Sequence, residues 1–207
     1  MWRRSVLDLI VESVKKIEEM LENCGCEEGD VLLEPDPDIV NCQYERGACI
    51  VATFGGRTAE FVTDNPLRAR TKISFMFGAP LDTLQTRSAA GSILNVVSGF
   101  FSLTRILHAC PASAHPPCLK RLKTEIEGKR IVCVGDMPAI EAEFRGYLVS
   151  SPEEAEIILF NGEGIIGTNS GDIIASAGTH KRVLCLGPST SGIARLNQIE
   201  HFCPYGK

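Results

Sequence analysis

The chain has 207 residues, enough for one large domain or two small ones with a buried core. Apolar residues make up 44% and charged residues 23% of it, which is the balance of a globular rather than a disordered protein. The net charge of −5 at pH 7 argues against a nucleic-acid or anionic-membrane partner, and no apolar run approaches the roughly 20 residues that span a bilayer. No apolar stretch typical of a signal peptide follows the N-terminus, so we expect a cytoplasmic protein, either alone or as a homo-oligomer.

Nine cysteines stand out in this composition. In the reducing cytosol they are expected to stay free, as core residues, metal ligands or catalytic thiols, rather than to form a disulfide framework. Their number also favours a reducing or anaerobic cell. They occupy positions 24, 26, 42, 49, 110, 118, 133, 185 and 203.

The N-terminal half begins with an amphipathic helix. Apolar residues at helical spacing from Val6 to Leu21 predict this helix, and Cys24-Gly25 ends it. Acidic residues dominate the stretch 18–38, which we interpret as a solvated surface. Within it, the two prolines of Glu34–Asp38 predict extended or turned backbone, because a residue before proline avoids the helical region.

Two strands and a second helix are predicted next. Ala48–Phe54 is an apolar run that stops at a pair of glycines, and the side chains of Thr71–Phe77 alternate in character. Residues 86–107 predict a helix that begins with small side chains. Its glycines, Gly91 and Gly99, indicate close packing against another backbone or a nearby ligand.

The proline-rich segment Ala109–Pro117 predicts a linker, and the pattern of predicted strands and helices changes after it. We therefore divide the chain into two domains, 1–120 and 121–207. In the second domain near-continuous apolar strands alternate with helices, which is typical of a parallel sheet covered on both faces. The predicted strands are 131–135, 146–149, 156–162 and 182–188, and the predicted helices are 138–144 and 170–177.

Polar, glycine-rich loops follow three of these strands: Gly135–Pro138, Asn161–Ser170 and Gly187–Gly192. Ligands bind at the carboxyl ends of parallel strands, where backbone N–H groups can hold a phosphate or a carboxylate. The alternative is that the loops only make tight turns and cap helices, as Ser170 and Ser189 would. No G-x-G-x-x-G motif follows the first strand and no P-loop motif is present, so a dinucleotide or nucleoside-triphosphate site is not predicted.

Three segments carry a resemblance to a known family: Arg87–Asn95 in the second helix, the loop from Asn161 to Asn169, and the turn Gly187–Thr190. In this order they are similar to the uncharacterised heavy-metal chelation proteins, in which a domain of unknown function 364 follows a domain of unknown function 4213. The resemblance covers most of the chain. It implies an α/β protein with an N-terminal α+β domain like that of enolase and a small Rossmann-like domain with a parallel sheet. It also implies a ligand site in the cleft between them.

The glycine-rich loops and the family resemblance together predict which residues bind the ligand. From the first domain come Arg87, which is placed to pair with an anion, and Asn95. From the Rossmann-like domain come Gly135, Asp136, Gly162, Thr168, Asn169, Gly187, Pro188, Ser189 and Thr190. Their backbone N–H groups and polar side chains are expected to bind a small anionic ligand, a transition metal or a metallo-cofactor.

A second constellation lies in the linker, where His108, Cys110, His115 and Cys118 fall within eleven residues. Thiolates and imidazoles suit zinc, copper(I) or iron, so Cys110, His115 and Cys118 are candidate metal ligands. The alternative is a proline-rich connector with buried thiols, since the spacing differs from that of a C-x₂₋₄-C site.

The other cysteines divide into three groups. Cys42, Cys49 and Cys203 have no recognisable partners in the sequence. Cys24-Gly25-Cys26 is either a metal half-site or redox pair, or simply the end of a helix. Cys133 and Cys185 lie in predicted core strands, where we expect them to be structural. No nucleophile-elbow or H-E-x-x-H motif supports catalysis. We expect a protein that binds its ligand in the interdomain cleft. The alternatives are an enzyme that acts on a metallo-cofactor or its precursor through Cys110 or His115, and a scaffold protein.

Overall fold

The computed structural model describes residues 8–40, 42–43 and 47–207. Its N-terminal part contains α1 (Leu9–Leu21), β1 (Asp30–Ile39), β2 (Gly47–Phe54), β3 (Arg57–Val62), β4 (Ala69–Lys72) and α2 (Leu84–Phe100). Its C-terminal part contains α3 (His115–Ile126), β5 (Ile131–Val134), α4 (Pro138–Glu143), β6 (Ile157–Phe160), α5 (Gly162–Ile166), α6 (Ser170–Ala177), β7 (Arg182–Leu186), α7 (Ser191–Leu196) and β8 (Glu200–Phe202). In this described part no helix combines the length and the apolar character needed to cross a lipid bilayer.

The N-terminal part is built on an antiparallel sheet with the strand order β3-β2-β1-β4. The two-residue turn Gly55-Gly56 joins β2 to β3, and both glycines have the positive φ that such tight hairpin turns require. In β1, Val31 and Leu33 are buried while Asp30 and Leu32 are exposed. The sheet therefore has one packed face and one solvated face.

The C-terminal part is built on a parallel sheet with the strand order β5-β6-β7-β8. Strand β6 lies inside this sheet and is buried along its whole length, as expected for a parallel strand covered on both faces. The predicted α/β fold class, an α+β part followed by a part with a parallel sheet, is confirmed. The boundary between residues 120 and 121 stays a prediction.

Helix α2 lies between the two parts. Every residue from Arg87 to Gly99 is buried, because α2 packs against β2 and β3 on one side and against α7 on the other. A Cβ atom on Gly91 would lie 2.7 Å from the ring of Phe61, and one on Gly99 would lie 2.5 Å from Leu107. The close packing expected of both glycines is therefore present, and one apolar core runs through both parts of the chain.

Gly91→Ala is expected to lower the free energy of unfolding by about 1 to 3 kcal/mol, because the added methyl group would overpack against the buried Phe61 ring. Without that contact, alanine would favour the helix by up to about 1 kcal/mol. Gly146→Ala serves as the control, since nothing lies within 4 Å of its added Cβ. Urea denaturation measures both variants. A Gly91→Ala protein more stable than the wild type would contradict this packing.

Two elements of the N-terminal part end earlier than their patterns predict. The predicted strand 71–77 stops at Lys72, and Ile73–Met76 form a 3₁₀ turn whose two end residues, three positions apart, are both buried. The predicted helix 86–107 stops at Phe100, because Ser102 adopts a positive φ of 58° and breaks the helical path. The start predicted at Val6 lies outside the described residues, and α1 begins after Asp8, whose side chain caps it.

Two predictions near the start of the C-terminal part are also wrong in detail. Helix α3 begins inside the predicted linker, because Pro116 and Pro117 occupy its first turn, where no backbone N–H is needed. The predicted strand 146–149 is instead a 3₁₀ turn, Arg145–Tyr147, followed by a single bridge between Leu148 and Ile131.

Candidate functional site

The carboxyl ends of the parallel strands form one edge of the C-terminal sheet. Gly135, Asn161, Gly187 and Cys203 directly follow β5, β6, β7 and β8. This is the edge at which α/β proteins bind their ligands. The three predicted ligand loops and one cysteine that had no predicted partner therefore meet in the same place.

Asn161 ties the first two of these loops together. Its Nδ2 donates to the Asp136 carbonyl oxygen at 2.7 Å, and its Oδ1 accepts from the Gly164 N–H at 2.9 Å, capping α5. Gly135 has a φ of 95°, and a Cβ there would collide with Asn161 Oδ1. The side chain of Asn161 thus holds the two loops together by hydrogen bonds to their backbone groups.

The third loop is bound to the N-terminal part. Asn95 donates from Nδ2 to the Pro188 carbonyl oxygen at 3.0 Å, and its Oδ1 accepts from the Gly192 N–H at 2.9 Å. Ser189 Oγ accepts from the Val62 N–H at 2.9 Å. A Cβ on Gly162 would lie 2.9 Å from Ser189 Cβ. Several predicted ligand residues are therefore brought together, and they join the two parts of the protein.

Arg87 is fully engaged inside the chain. Its Nη1 and Nη2 donate to the two carboxylate oxygens of Asp8 at 2.7 and 2.9 Å. Its other N–H groups donate to three carbonyl oxygens, those of Leu81, Ile166 and Gly167. The side chain of Arg87 is 1% exposed. All five of its donors are used, so an anionic ligand would have to displace Asp8.

Three of the predicted ligand residues are exposed, namely Asp136, Thr168 and Asn169, and Gly135 is partly buried. Thr190 is buried, and its hydroxyl donates to the Leu186 or Gly187 carbonyl oxygen. The binding role assigned to these residues and to their buried neighbours stays a prediction.

Four cysteines converge beside the same edge of the sheet, and we refer to them as the thiol cluster: Cys42, Cys110, Cys118 and Cys203. Cys42 lies after β1, Cys110 in the loop before α3, Cys118 on α3, and Cys203 directly after β8. The Cys42 and Cys118 side chains share a hydrogen bond, and both Cys42 and Cys203 interact electrostatically with Cys110 and Cys118. A cavity of about 20 Å³ is lined by Cys42, Cys118 and Cys203, together with Gln43 and Gly187. Its other lining residues are apolar: Leu119, Leu122, Ile140, Leu186 and Phe202.

The four thiols differ in acidity. The pKa of Cys42 is raised, because it donates a hydrogen bond to Cys118 and is buried. The pKa of Cys118 is lowered by accepting that bond, with a further contribution from the Arg121 cation. Burial raises the pKa of Cys203 to about 12 and also raises that of Cys110. Cys118 is therefore the member closest to its thiolate form.

Neither linker histidine bonds to a thiol. His108 Nδ1 lies 3.0 Å from Glu60 Oε1, and its Nε2 lies 3.1 Å from Thr58 Oγ1. Glu60 Oε2 also accepts from the Ala109 N–H, so this carboxylate fixes the loop that carries Cys110. His115 Nε2 is buried and has no hydrogen-bond partner among the described residues, and it lies one helical turn before Cys118.

The three metal ligands predicted from the linker, Cys110, His115 and Cys118, do not form one group in the structure. Cys110 and Cys118 approach each other, and Cys42 and Cys203 join them, although sequence spacing gave no reason to include these two. Within residues 8–40, 42–43 and 47–207, no group of three or more His, Cys, Asp or Glu side chains has a geometry that could hold a metal ion. The ligand role of Cys110, His115 and Cys118 stays a prediction.

The cysteines of the core strands are separate from this cluster. Cys185 is completely buried in β7, and burial raises its pKa to about 12. Cys133 in β5 is partly buried, and burial together with Glu141 raises its pKa to about 12 as well. Their structural interpretation agrees with these positions.

No protein-family model and no curated protein matches the sequence. The fold is similar to that of a protein of unknown function from the DUF364 family of Pyrococcus horikoshii, with a TM-score of 0.51 and 14% identity over 88% of this chain and 80% of that chain. A DUF364-family protein of unknown function from Desulfitobacterium hafniense DCB-2 aligns with a TM-score of 0.47 and 13% identity, over 80% of this chain and 76% of that one. The resemblance to proteins with the domain of unknown function 364 is therefore confirmed as a likeness of fold.

Proposed function

We propose that the protein binds a thiophilic metal ion, zinc(II) or copper(I), at the thiol cluster. The observation that carries the proposal is the cavity of about 20 Å³ lined by Cys42, Cys118 and Cys203 at the carboxyl edge of the parallel sheet. Cys110 interacts electrostatically with the same thiols. This edge is where a ligand is expected in such a fold.

The size of the cavity selects the class of ligand. A space of this volume holds roughly one water-sized guest. Pockets for organic ligands measure about 300 Å³ or more, so a cofactor or substrate of ordinary size does not fit. A single metal ion does fit. Of the ligands expected from the sequence, an ion therefore has better support at this position than an organic anion or a complete metallo-cofactor.

The donor set selects the class of metal. Thiolates favour zinc and copper(I) over magnesium or calcium. Arg121 lies within electrostatic reach of Cys118, and Lys207 lies within reach of Cys110, so two cations offset part of the negative charge that thiolates would bring. Since the thiols are mostly protonated and not yet arranged around one point, binding would rotate side chains and release protons.

Metal titration of single variants under anaerobic conditions tests this proposal. The wild type is expected to bind one equivalent of zinc(II) or copper(I) in competition with a chelator. Cys42→Ser, Cys118→Ser and Cys203→Ser should each weaken binding by at least about 100-fold, or about 3 kcal/mol. Cys133→Ser is the matched control, because its thiol is partly buried but lies outside the cluster. Equal affinities in all four variants, or no binding by the wild type, would refute the proposal.

Fewer observations support the two other functions expected from the sequence, which are binding of a small anionic ligand and catalysis on a metallo-cofactor. A small anionic ligand in the interdomain cleft would have to use the exposed Asp136, Thr168 and Asn169, since Arg87 and Asn95 are engaged within the chain. An enzyme that acts on a metallo-cofactor would need an open volume larger than the cavity at the thiol cluster. Binding of a bare ion is therefore the better-supported function.

A further inference from the structure

The sequence Cys24-Gly25-Cys26 places two thiols side by side on the surface between α1 and β1. Cys24 is exposed and Cys26 is partly buried against the core. Gly25 has a φ of 76°, which turns the backbone between them, and nothing lies within 4 Å of the position of its missing Cβ. The backbone N–H of Cys26 donates to Cys24 Sγ at 3.3 Å, and the two side chains share a hydrogen bond.

We propose that Cys24 and Cys26 form a solvent-accessible dithiol that reduces small cationic disulfides by thiol–disulfide exchange. Cys24 is the attacking residue, because it is the exposed member of the pair and its sulfur already accepts a hydrogen bond from the Cys26 N–H. Cys26 is the resolving residue, because it is less exposed and touches Cys24. This site is separate from the thiol cluster and does not depend on metal binding there.

The exchange balances with the disulfide as the oxidant and the dithiol as the reductant. The Cys24 thiolate attacks one sulfur of the disulfide, forms a mixed disulfide and releases the first thiolate. The Cys26 thiol gives its proton to that thiolate and attacks Cys24 Sγ, which expels the second thiolate. This thiolate takes up the proton that Cys24 had lost. One protein disulfide and two small thiols are formed in total.

The charge around the dithiol selects the substrate class. Glu28 pairs with Lys72 and Asp30 pairs with Arg70, whereas Glu22 and Glu27 form no ion pair with any described residue. Cys24 Sγ lies 3.8 Å from Glu27 Oε2. A cationic disulfide is attracted to this acidic surface and an anionic one is repelled.

Three disulfides of different charge test the inference on the full chain: cystamine, 2-hydroxyethyl disulfide and oxidised glutathione. We expect peptide mapping to find a Cys24–Cys26 disulfide after each reaction. Cystamine should react at least about tenfold faster than oxidised glutathione at low salt, and high salt should reduce this ratio. Glu27→Gln should also reduce the ratio, because it removes the nearest carboxylate.

Single cysteine variants assign the two steps. Cys26→Ser should accumulate a mixed disulfide at Cys24, Cys24→Ser should abolish exchange at this site, and Cys133→Ser should behave as the wild type. Three results would overturn the inference: a stable mixed disulfide in the wild type, faster oxidation of other cysteines than of Cys24 and Cys26, or equal rates with cystamine and oxidised glutathione. Measuring the reaction with and without added metal keeps oxidation of the thiol cluster apart from oxidation of Cys24 and Cys26.

Discussion

Asp8→Asn is expected to lower the free energy of unfolding by about 3 to 5 kcal/mol, because it leaves the buried guanidinium of Arg87 without its counter-charge. The carboxylate of Asp8 receives two parallel hydrogen bonds from Arg87 and also accepts from the Ile10 and Val11 N–H groups at the start of α1. Arg87 extends the contact to the carbonyl oxygen of Gly167 before α6. The ion pair therefore joins α1 to α2, and the other hydrogen bonds of Arg87 link these helices to the C-terminal part.

An exposed pair of the same type provides the matched control for this prediction. Asp30 and Arg70 lie 2.6 Å apart, but their side chains are 54% and 74% exposed. Because water already screens this pair, Asp30→Asn should change stability little. Urea denaturation of both variants measures the difference. Similar losses for Asp8→Asn and Asp30→Asn would contradict the view that Asp8 is the counter-charge on which the buried Arg87 depends.

Gly135→Ala is expected to cost about 3 kcal/mol or more, because two separate penalties act at this residue. Its φ of 95° is unfavourable for any residue with a Cβ, and that Cβ would collide with Asn161 Oδ1 and lie 2.5 Å from the Gly164 nitrogen. Asn161 would have to move, which would break the cap of α5 and the bond to the Asp136 carbonyl oxygen.

Gly128→Ala separates the two penalties. Gly128 also has a positive φ, 72°, but nothing lies within 4 Å of its missing Cβ. We expect Gly128→Ala to lower the free energy of unfolding by about 1 to 2 kcal/mol, which is the backbone penalty for a positive φ without any steric collision. Thermal or urea unfolding of the two variants gives the comparison. If Gly135→Ala cost no more than Gly128→Ala, the close contact between the loops after β5 and β6 would be wrong.

The elements that the sequence predicts well are those with a strong local pattern. The apolar runs that become β2, β5, β6 and β7 and the periodicity that becomes α1 need no tertiary information. The small residues of α2 correctly indicate close packing, because the packing partner must approach the backbone at Gly91. The start of helix α3 is not predicted, because prolines occur both in linkers and in the first turn of a helix, and the sequence alone does not distinguish the two.

The site residues are harder to predict, because their partners are distant in sequence. The anion that pairs with Arg87 is Asp8, 79 residues away, and nothing in the local pattern indicates it. Cys42 and Cys203 show no metal-ligand spacing, because the thiol cluster draws its four members from separate segments. The strand order of the sheet brings Cys203 to the same edge as the Gly187 turn, and this order appears only in the folded chain.

X-ray absorption spectroscopy of the zinc-loaded protein tests the central claim most directly, because it counts the sulfur atoms bound to the metal. The thiol cluster predicts a first shell of three or four sulfur atoms at about 2.3 Å. Cys203→Ser should remove one of them, and Cys133→Ser should remove none. A first shell made only of nitrogen and oxygen at about 2.0 to 2.2 Å would contradict a metal site at the thiol cluster.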